Sequence, residues 1–304
     1  MGANMFNASS PHLRAVLQAL FVTFLWSTSW VFIKIGLEDI PALTFAGLRY
    51  GLAFVCLLPF VLRRAGVASL RSLSRREWGW LLLLGVFFYA ITQGAQFLGL
   101  LYLPAVTVSL LLNFTTVTVA FLGVFLLAEW PTAIQWGGVG LSLVGAMLYF
   151  YPVALPTAQV LGLFIVLVGV LANALSAVLG RAINRTGHIS PLTITVVSMG
   201  IGSSLLLATG LGTQGLPPLS GRSWAIIGWL AVVNTAFAFT LWNHTLRTLS
   251  AVESSIINST MLIQIAILAW IFLGERLTPQ EIAGMILAAL GVLVVQLGRQ
   301  FTFR

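Results

Sequence analysis

An internal duplication constrains the fold of this chain more than any other feature. Residues 105–146 and 251–292 align without a gap at a constant offset of 146 positions, so that Glu129 falls on Glu275. Each copy contains a long apolar stretch, a short segment that begins with the glutamate and ends with a threonine, and a second apolar stretch with glycines seven residues apart. The chain is therefore expected to contain two copies of one structural unit.

Apolar stretches of this length, together with the composition, indicate a membrane protein. The 304 residues are 59% hydrophobic and only 7% charged, with a mean hydropathy of +1.02, whereas a soluble domain carries roughly 25% charged residues. A helix of about 20 apolar residues crosses the hydrocarbon core of a bilayer. Ten such helices are predicted, over residues 14–35, 42–62, 78–100, 104–127, 133–151, 159–183, 191–211, 223–246, 251–273 and 279–298.

The two halves of the chain are predicted to be inverted repeats. Ten helices in two equal halves leave five in each half, and an odd number makes the second half enter the membrane from the opposite side. The predicted fold class is an all-α integral membrane protein with ten transmembrane helices, arranged as two inverted five-helix repeats. The repeats are predicted at residues 14–151 and 159–298, with cytoplasmic tails at 1–13 and 299–304.

The basic residues give the predicted orientation. With the N-terminus in the cytoplasm, eleven Lys and Arg residues fall in cytoplasmic segments, three fall in outer segments, and Arg49 falls within the second helix. Positive charge accumulates on the cytoplasmic side of membrane proteins, so both termini are expected there, in a bacterial inner membrane. Orientation and anionic lipid account for the net charge of +8, and no nucleic acid is expected as a partner.

The residue pattern gives little support to an enzyme. The sequence has no H-E-x-x-H zinc motif, and His12, His188 and His244 have no metal-ligand spacing. We therefore expect neither a metal nor another cofactor. A carrier, a channel and a membrane protein without transport activity remain as alternatives.

Four segments carry a resemblance to a known family. They are FLGERLTPQEIAGMILAALGVLVV, its weaker copy LLAEWPTAIQWGGVGLSLVGAML, LRYGLAF at residues 48–54 and LWSTSW at residues 25–30. The chain resembles the EamA branch of the drug/metabolite transporter superfamily, and within it is similar to bacterial aromatic amino acid exporters. The resemblance implies a ten-helix inverted-repeat carrier that exports amino acids or similar metabolites, with a site enclosed by helices 1–4 and 6–9. The related small multidrug exporters couple protons through a carboxylate in the first helix, and LWSTSW contains none.

Uncharged polar and aromatic side chains inside the predicted helices are the candidates for a substrate-binding cavity. Each polar group is costly in hydrocarbon unless a neighbour or a ligand satisfies it. Tyr89, Gln93 and Gln96 are spaced to share one face of the third helix. Such groups can hydrogen-bond a zwitterion, or they can link helices for about 0.6 kcal/mol each. The substrate-binding candidates are Trp26, Trp30, Tyr89, Gln93, Gln96, Asn113, Asn173, Asn234, Trp242 and Asn258.

Three further residues are candidate charge partners. Arg49 lies well inside the second helix, where it either pins neighbouring helices or receives a substrate carboxylate. His244 and Glu253 flank the loop between helices eight and nine, where they either exchange protons during transport or face water. The predicted partners are a small amphipathic metabolite, the lipid bilayer and protons. Proton exchange and facilitated diffusion both stay open as the energy source.

The predicted mechanism is alternating access, in which two four-helix units rock about a central site while helices five and ten brace the outside. Four glycines are expected at close helix contacts. They occupy equal positions in the two repeats, Gly138 with Gly284 and Gly145 with Gly291.

Overall fold

The computed structural model describes residues 10–62, 67, 70–127, 132–151, 156–185, 189–249 and 251–298. Ten long helices account for most of these residues, which contain no strand. All ten are long and apolar enough to cross a membrane, which confirms the all-α membrane fold. Helices α1 to α10 comprise Ser10–Gly36, Ala42–Val61, Arg75–Tyr102, 105–127, Ala133–Phe150, Thr157–Arg185, Pro191–Thr213, 221–245, 251–273 and Pro279–Gly298.

Side-chain caps fix where α5 and α10 begin. Thr132 Oγ1 accepts a hydrogen bond from Gln135 N at 3.3 Å, while Gln135 Oε1 accepts one from Thr132 N at 2.8 Å. Thr278 and Glu281 form the same reciprocal pair before α10, at 3.2 and 2.6 Å. Each pair satisfies N–H groups that the first helical turn leaves without partners. Because the two pairs occupy equal positions in the repeat, the local sequence starts both helices in the same way.

Helices α5 and α10 pack with direct backbone contact. A Cβ atom on Gly145 would lie 2.7 Å from Gly284 O and 2.8 Å from Ala288 Cα. A Cβ atom on Gly138 would lie 2.8 Å from Gly291 O. Residue numbers fall along α10 as they rise along α5, so the two helices are antiparallel. The close contacts predicted for the four glycines are confirmed, because any side chain there would force the backbones apart.

Helices α2 and α7 repeat this arrangement. A Cβ atom on Gly47 would lie 2.6 Å from Leu207 Cα, and one on Gly210 would lie 2.7 Å from Thr44 Cα. This pair is also antiparallel. The second helices of the two halves thus face each other, as do the fifth helices.

The remaining helices form the region between the halves. Helix α1 packs against α8 and α9, and α6 packs against α3 and α4. Each first helix therefore contacts the third and fourth helices of the opposite half. Helices α4 and α9 also contact each other. The two halves thus contact each other through α1, α3, α4, α6, α8 and α9.

Candidate functional site

Helices α3 and α8 depart from α-helical geometry at corresponding places. Helix α3 contains a π-helical segment at Gly85–Thr92, and α8 contains one at Val232–Phe237. In each segment a threonine hydroxyl, of Thr92 or of Thr235, donates to the carbonyl oxygen five residues earlier at 2.8 Å. π-helical turns are frequent at functional sites. Since α3 and α8 are the third helices of their halves, the two segments occupy equivalent places. Neighbouring residues of α2 contact both of them, because Tyr50 packs against Tyr89 and Arg49 donates to Thr235.

Helices α4 and α9 are interrupted at equal positions of the repeat, at Phe114 and Thr260. At each break the backbone N–H bonds three residues back, to Leu111 O at 3.0 Å and to Ile257 O at 3.1 Å. Such tightened turns mark hinges in helices. Helix α1 contacts α3, α4, α8 and α9. The candidate site is therefore built around α1, where the four irregular helices meet it.

Arg49 is the centre of a buried polar cluster between α2, α1 and α8. The side chain is 4% exposed, and its Nε donates to Thr235 Oγ1 at 3.1 Å while Nη2 donates to Ser29 Oγ at 3.5 Å. The guanidinium carbon lies 5.1 Å from the centre of the Tyr50 ring, which is within cation–π range. No carboxylate of a described residue forms an ion pair with Arg49. The cluster ties α2 to the π segment of α8.

Asn234 extends this cluster along the interface between α1 and α8. Its side chain is fully buried, and Nδ2 lies against Leu25 O, 3.0 Å from Thr28 Oγ1 and 2.9 Å from Ser29 Oγ. Its Oδ1 has no hydrogen-bond partner among the described residues. Reversing the amide would set Oδ1 against Leu25 O, and two carbonyl oxygens repel each other. The amide therefore keeps a buried acceptor without a donor.

Tyr50 connects Arg49 to the polar face predicted on α3. Its hydroxyl donates to Gln93 Oε1 at 2.6 Å, and its ring packs edge-on against Tyr89 with centroids 5.6 Å apart. Two of the three residues predicted to share a face thus meet the same partner on α2. Gln96 is half-buried beyond them and forms no hydrogen bond with a described residue.

An aromatic cluster lies on the same α1–α8 interface. The Trp26 ring is 5.3 Å from Phe239 and 5.2 Å from Trp242, measured between centroids. Its Nε1 is buried and has no hydrogen-bond partner among the described residues. The structure thus brings together two predicted residues, Trp26 and Trp242. A third, Trp30, is buried one turn further along α1.

The candidate asparagines of α4, α6 and α9 lie apart from this cluster. Asn113 Nδ2 donates to Ser109 O of its own helix at 2.9 Å. Asn173 Nδ2 donates to Thr115 Oγ1 at 3.1 Å and so links α6 to α4. Asn258 is exposed. Substrate contact by these three residues stays a prediction.

The predicted titratable groups lie at helix ends. Glu253 Oε1 is 3.0 Å from His12 Nε2, which joins the starts of α9 and α1. His244 is exposed in the last turn of α8. Glu129 and His188, singled out in the sequence, lie outside the described residues. Within the described part of the chain, no group of three or more His, Cys, Asp or Glu residues is placed to hold a metal ion.

Gln264 of α9 is a polar contact that the sequence analysis missed. Its Oε1 accepts a hydrogen bond from Ser27 Oγ of α1 at 2.9 Å, and its Nε2 donates to Thr260 Oγ1, at the break in α9, at 3.1 Å. A lone amide inside the apolar run MLIQIAIL was the available signal. Ser29 and Thr235 were missed because hydroxyls are common in membrane helices.

A lysine and a glutamate bind the backbone of the connection between α3 and α4. Pro104 has no N–H to bond Leu100 O, and Lys34 Nζ of α1 donates to that oxygen at 2.6 Å and to Leu103 O at 2.7 Å. The Glu275 carboxylate accepts from the first two N–H groups of α4, at 2.7 and 3.2 Å. A cavity of about 610 Å³ adjoins these charges. Since Glu275 belongs to the second half, its bonds to this connection link the two halves at one end of the molecule.

Ten apolar helices, four of them irregular around a buried polar cluster, define a multi-pass membrane protein. The chain belongs to the EamA-like transporter family, whose sequence profile matches residues 13–151 and again residues 160–297. The recognised family resemblance is thereby confirmed across nearly the whole chain.

Individual relatives are also named transporters. An uncharacterized transporter of Bacillus subtilis (strain 168) is 28% identical over 94% of this chain and 92% of its own length. A probable amino-acid metabolite efflux pump of Salmonella typhimurium is 26% identical over 91% and 92%. An S-adenosylmethionine/S-adenosylhomocysteine transporter of Chlamydia trachomatis serovar L2 is 25% identical over 87% and 84%. A crystal structure that is 16% identical shares the fold, with a TM-score of 0.65 over 94% of this chain and 98% of its own.

Proposed function

We propose that this protein is a secondary transporter that exports amino acids or similar small amphipathic metabolites across a bacterial inner membrane. The observation that carries the proposal is the buried cluster at the α1–α8 interface. There, Asn234 Oδ1 and Trp26 Nε1 have no partner among the described residues. Unsatisfied polar groups inside a membrane are costly, and a ligand that hydrogen-bonds them removes that cost. The cluster combines the aromatic rings of Trp26, Phe239 and Trp242 with uncharged polar groups, a combination that suits an amphipathic solute.

The names of two relatives support this substrate class. One is named for amino-acid metabolites and the other for S-adenosylmethionine, a molecule that carries the amino and carboxylate groups of methionine. In the proposed site the substrate contacts are Trp26, Trp30, Tyr89, Gln93, Gln96, Asn234 and Trp242. Further contacts are predicted along the path of the substrate, at Asn113, Asn173 and Asn258. Arg49, His244 and Glu253 are the proposed charge partners.

The proposed architecture is a pair of inverted repeats, at residues 14–151 and 159–298, with both termini in the cytoplasm. The antiparallel pairing of α5 with α10 and of α2 with α7 supports the inversion. So do the reciprocal contacts of α1 and α6 with the opposite half. The excess of basic residues in the segments assigned to the cytoplasm supports the orientation.

The proposed mechanism is alternating access. The π segments of α3 and α8 and the breaks in α4 and α9 are places where helices can bend. The backbone contacts between α5 and α10 make that pair a rigid brace. A disulfide between α4 and α9 should therefore stop transport, whereas one between α5 and α10 should leave it running. Equal inhibition by both cross-links would contradict the mechanism.

The test is uptake of a panel of labelled amino acids and S-adenosylmethionine into proteoliposomes, with and without an imposed pH gradient. We expect several members of the panel to enter faster than into protein-free liposomes. Gln93→Ala should lower that rate at least severalfold, because it removes a buried polar group of the site. Ser204→Ala is the matched control, since Ser204 is exposed on α7 and bonds only its own helix. Failure of every compound to enter above the protein-free rate would reject the proposed function.

The pH gradient separates the two energy sources. If protons exchange for substrate, an imposed gradient should accelerate uptake, and Glu253→Gln or His244→Gln should abolish that acceleration. Facilitated diffusion predicts the same uptake rate with and without the gradient. The first helix offers no carboxylate for proton exchange in LWSTSW.

A further inference from the structure

Arg49 is a buried cation whose partners are all neutral. It is the eighth residue of α2, Ala42–Val61, and its side chain is 4% exposed. Its hydrogen bonds go to two hydroxyls, of Thr235 and Ser29, and the bond to Ser29 is long at 3.5 Å. Buried charges in membrane helices are usually paired with an opposite charge. Among the described residues no carboxylate provides that charge.

The guanidinium retains unused hydrogen-bond donors. Arginine has five N–H groups, and only Nε and Nη2 form hydrogen bonds with described residues here. Nη1 forms none. A guanidinium binds a carboxylate through two parallel N–H donors. Arg49 therefore has the free capacity that a substrate carboxylate would need.

An unused acceptor lies in the same cluster. Asn234 and Arg49 share one partner, the Ser29 hydroxyl, which lies 2.9 Å from Asn234 Nδ2. Asn234 Oδ1 is buried without a donor among the described residues, and an ammonium group is a suitable donor for it. One cluster thus offers donors for an anion beside an acceptor for a cation.

An apolar wall adjoins these polar groups. Trp26, Phe239 and Trp242 form an aromatic cluster on α1 and α8, the helices that carry Ser29 and Asn234. Aromatic faces of this kind pack against apolar side chains of a ligand. The three chemical features together match a zwitterion with an apolar side chain.

We propose that Arg49 recognises the substrate carboxylate, while Asn234 Oδ1 accepts a hydrogen bond from the substrate ammonium group. The Ser29 and Thr235 hydroxyls hold the guanidinium in the conformation described above, and the substrate carboxylate replaces them when α8 moves away from α1. The π segment of α8 carries both Asn234 and Thr235. Its motion therefore frees the Arg49 guanidinium from Thr235 and exposes Asn234 Oδ1 at the same time. This inference rests on the transport function proposed above and adds its substrate specificity.

The alternative is that Arg49 has a structural role only and holds α2 against α8 through its bond to Thr235, a role called a pin below. The two roles differ in what they do to selectivity. A pin affects the transport of every substrate by the same factor. A carboxylate-binding residue affects substrates that carry a carboxylate far more than analogues that lack it.

The experiment compares inhibition of labelled phenylalanine and methionine uptake in proteoliposomes by three compounds for each: the amino acid, its primary amide and its analogue without the amino group. The wild type should prefer the amino acid over the amide at least tenfold. Arg49→Gln should reduce that preference to less than threefold, and Arg49→Lys, which keeps charge without the forked donors, should fall between. Asn234→Leu should instead reduce the preference over the analogue without the amino group.

Thr235→Ala is the matched control for the pin. It removes the hydroxyl that Arg49 Nε bonds and leaves the guanidinium in place. It should lower transport of all compounds by one factor while the preference for the carboxylate stays at least tenfold. If Arg49→Gln does not yield folded protein, the intermediate selectivity of Arg49→Lys carries the test.

The contrary outcomes are distinct. Should Arg49→Gln or Arg49→Lys slow transport while the wild-type preference over the amide persists, Arg49 is a pin and the inference is rejected. Wild-type transport that accepts amide and acid equally would also reject it, yet would leave the proposed transport function standing. Absence of wild-type transport of every compound in the uptake panel described for the proposed function would reject both.

Discussion

Gly145 offers a sharp test of the packing between α5 and α10. In Gly145→Ala the new methyl carbon would lie 2.7 Å from Gly284 O and 2.8 Å from Ala288 Cα. Carbon atoms in van der Waals contact are about 3.5–4.0 Å apart. The obstructing atoms belong to the backbone, so no side-chain rotation removes the clash. The two helices would have to separate by roughly 1 Å at this position.

Overpacking of this kind costs about 1–3 kcal/mol. Alanine also favours a helix over glycine by up to about 1 kcal/mol, and this gain partly conceals the clash. Gly140→Ala on the same helix isolates it, because a Cβ atom on Gly140 meets nothing within 4 Å. Both variants share the gain in helix propensity. The difference between them, about 1–3 kcal/mol, is therefore the cost of the clash alone.

Thermal unfolding in detergent, followed by tryptophan fluorescence, measures this difference. Gly145→Ala should melt about 2–12 °C below Gly140→Ala, using a conversion of about 2–4 °C per kcal/mol. Gly284→Ala should behave like Gly145→Ala, since its Cβ atom would lie 2.7 Å from Gly145 O. Equal melting temperatures for Gly145→Ala and Gly140→Ala would refute the backbone contact.

Three further predictions concern hydrogen bonds outside this interface. Glu275→Gln should lower the free energy of unfolding by about 0.3–1 kcal/mol, because a carboxylate at the N-terminus of α4 becomes neutral; an unchanged chemical unfolding midpoint in detergent would contradict the cap. Tyr50→Phe should lower the free energy of unfolding by about 0.6 kcal/mol, because the hydrogen bond to Gln93 is lost. A double-mutant cycle with Gln93→Leu should show that the two changes are non-additive, and full additivity would refute the bond. Thr132→Ala and Thr278→Ala should each cost about 1 kcal/mol and speed amide exchange in the first turn of α5 or α10; protected amides in both variants would argue against the caps.

The sequence alone sufficed for the features that depend on length and local spacing. The ten apolar stretches predicted ten helices because a membrane admits few other structures. The glycine spacing predicted that α5 and α10 each pack closely against a neighbouring helix, since a stretch with small residues on one face packs by that face. It did not identify that neighbour. Thr132 and Thr278 begin helices because a threonine followed three residues later by Gln or Glu caps its own helix.

The polar contacts of the site could not be predicted in the same way. The bond between Arg49 and Thr235 joins residues 186 positions apart, and no local pattern encodes such a distance. The face assigned to Tyr89, Gln93 and Gln96 assumed regular α-helical turns. The turn between Tyr89 and Gln93 is instead part of the π segment Gly85–Thr92, and these are the two of the three residues that contact Tyr50.

Counterflow in proteoliposomes tests the central claim of alternating access around one site most directly. Vesicles containing the protein are loaded with an unlabelled amino acid from the panel, and entry of the same labelled amino acid is followed. If a single site alternates between the two sides, preloading should accelerate entry severalfold and produce a transient accumulation of label above equilibrium. Entry at the same rate in loaded and empty vesicles, without an overshoot, would instead identify a channel and contradict the mechanism.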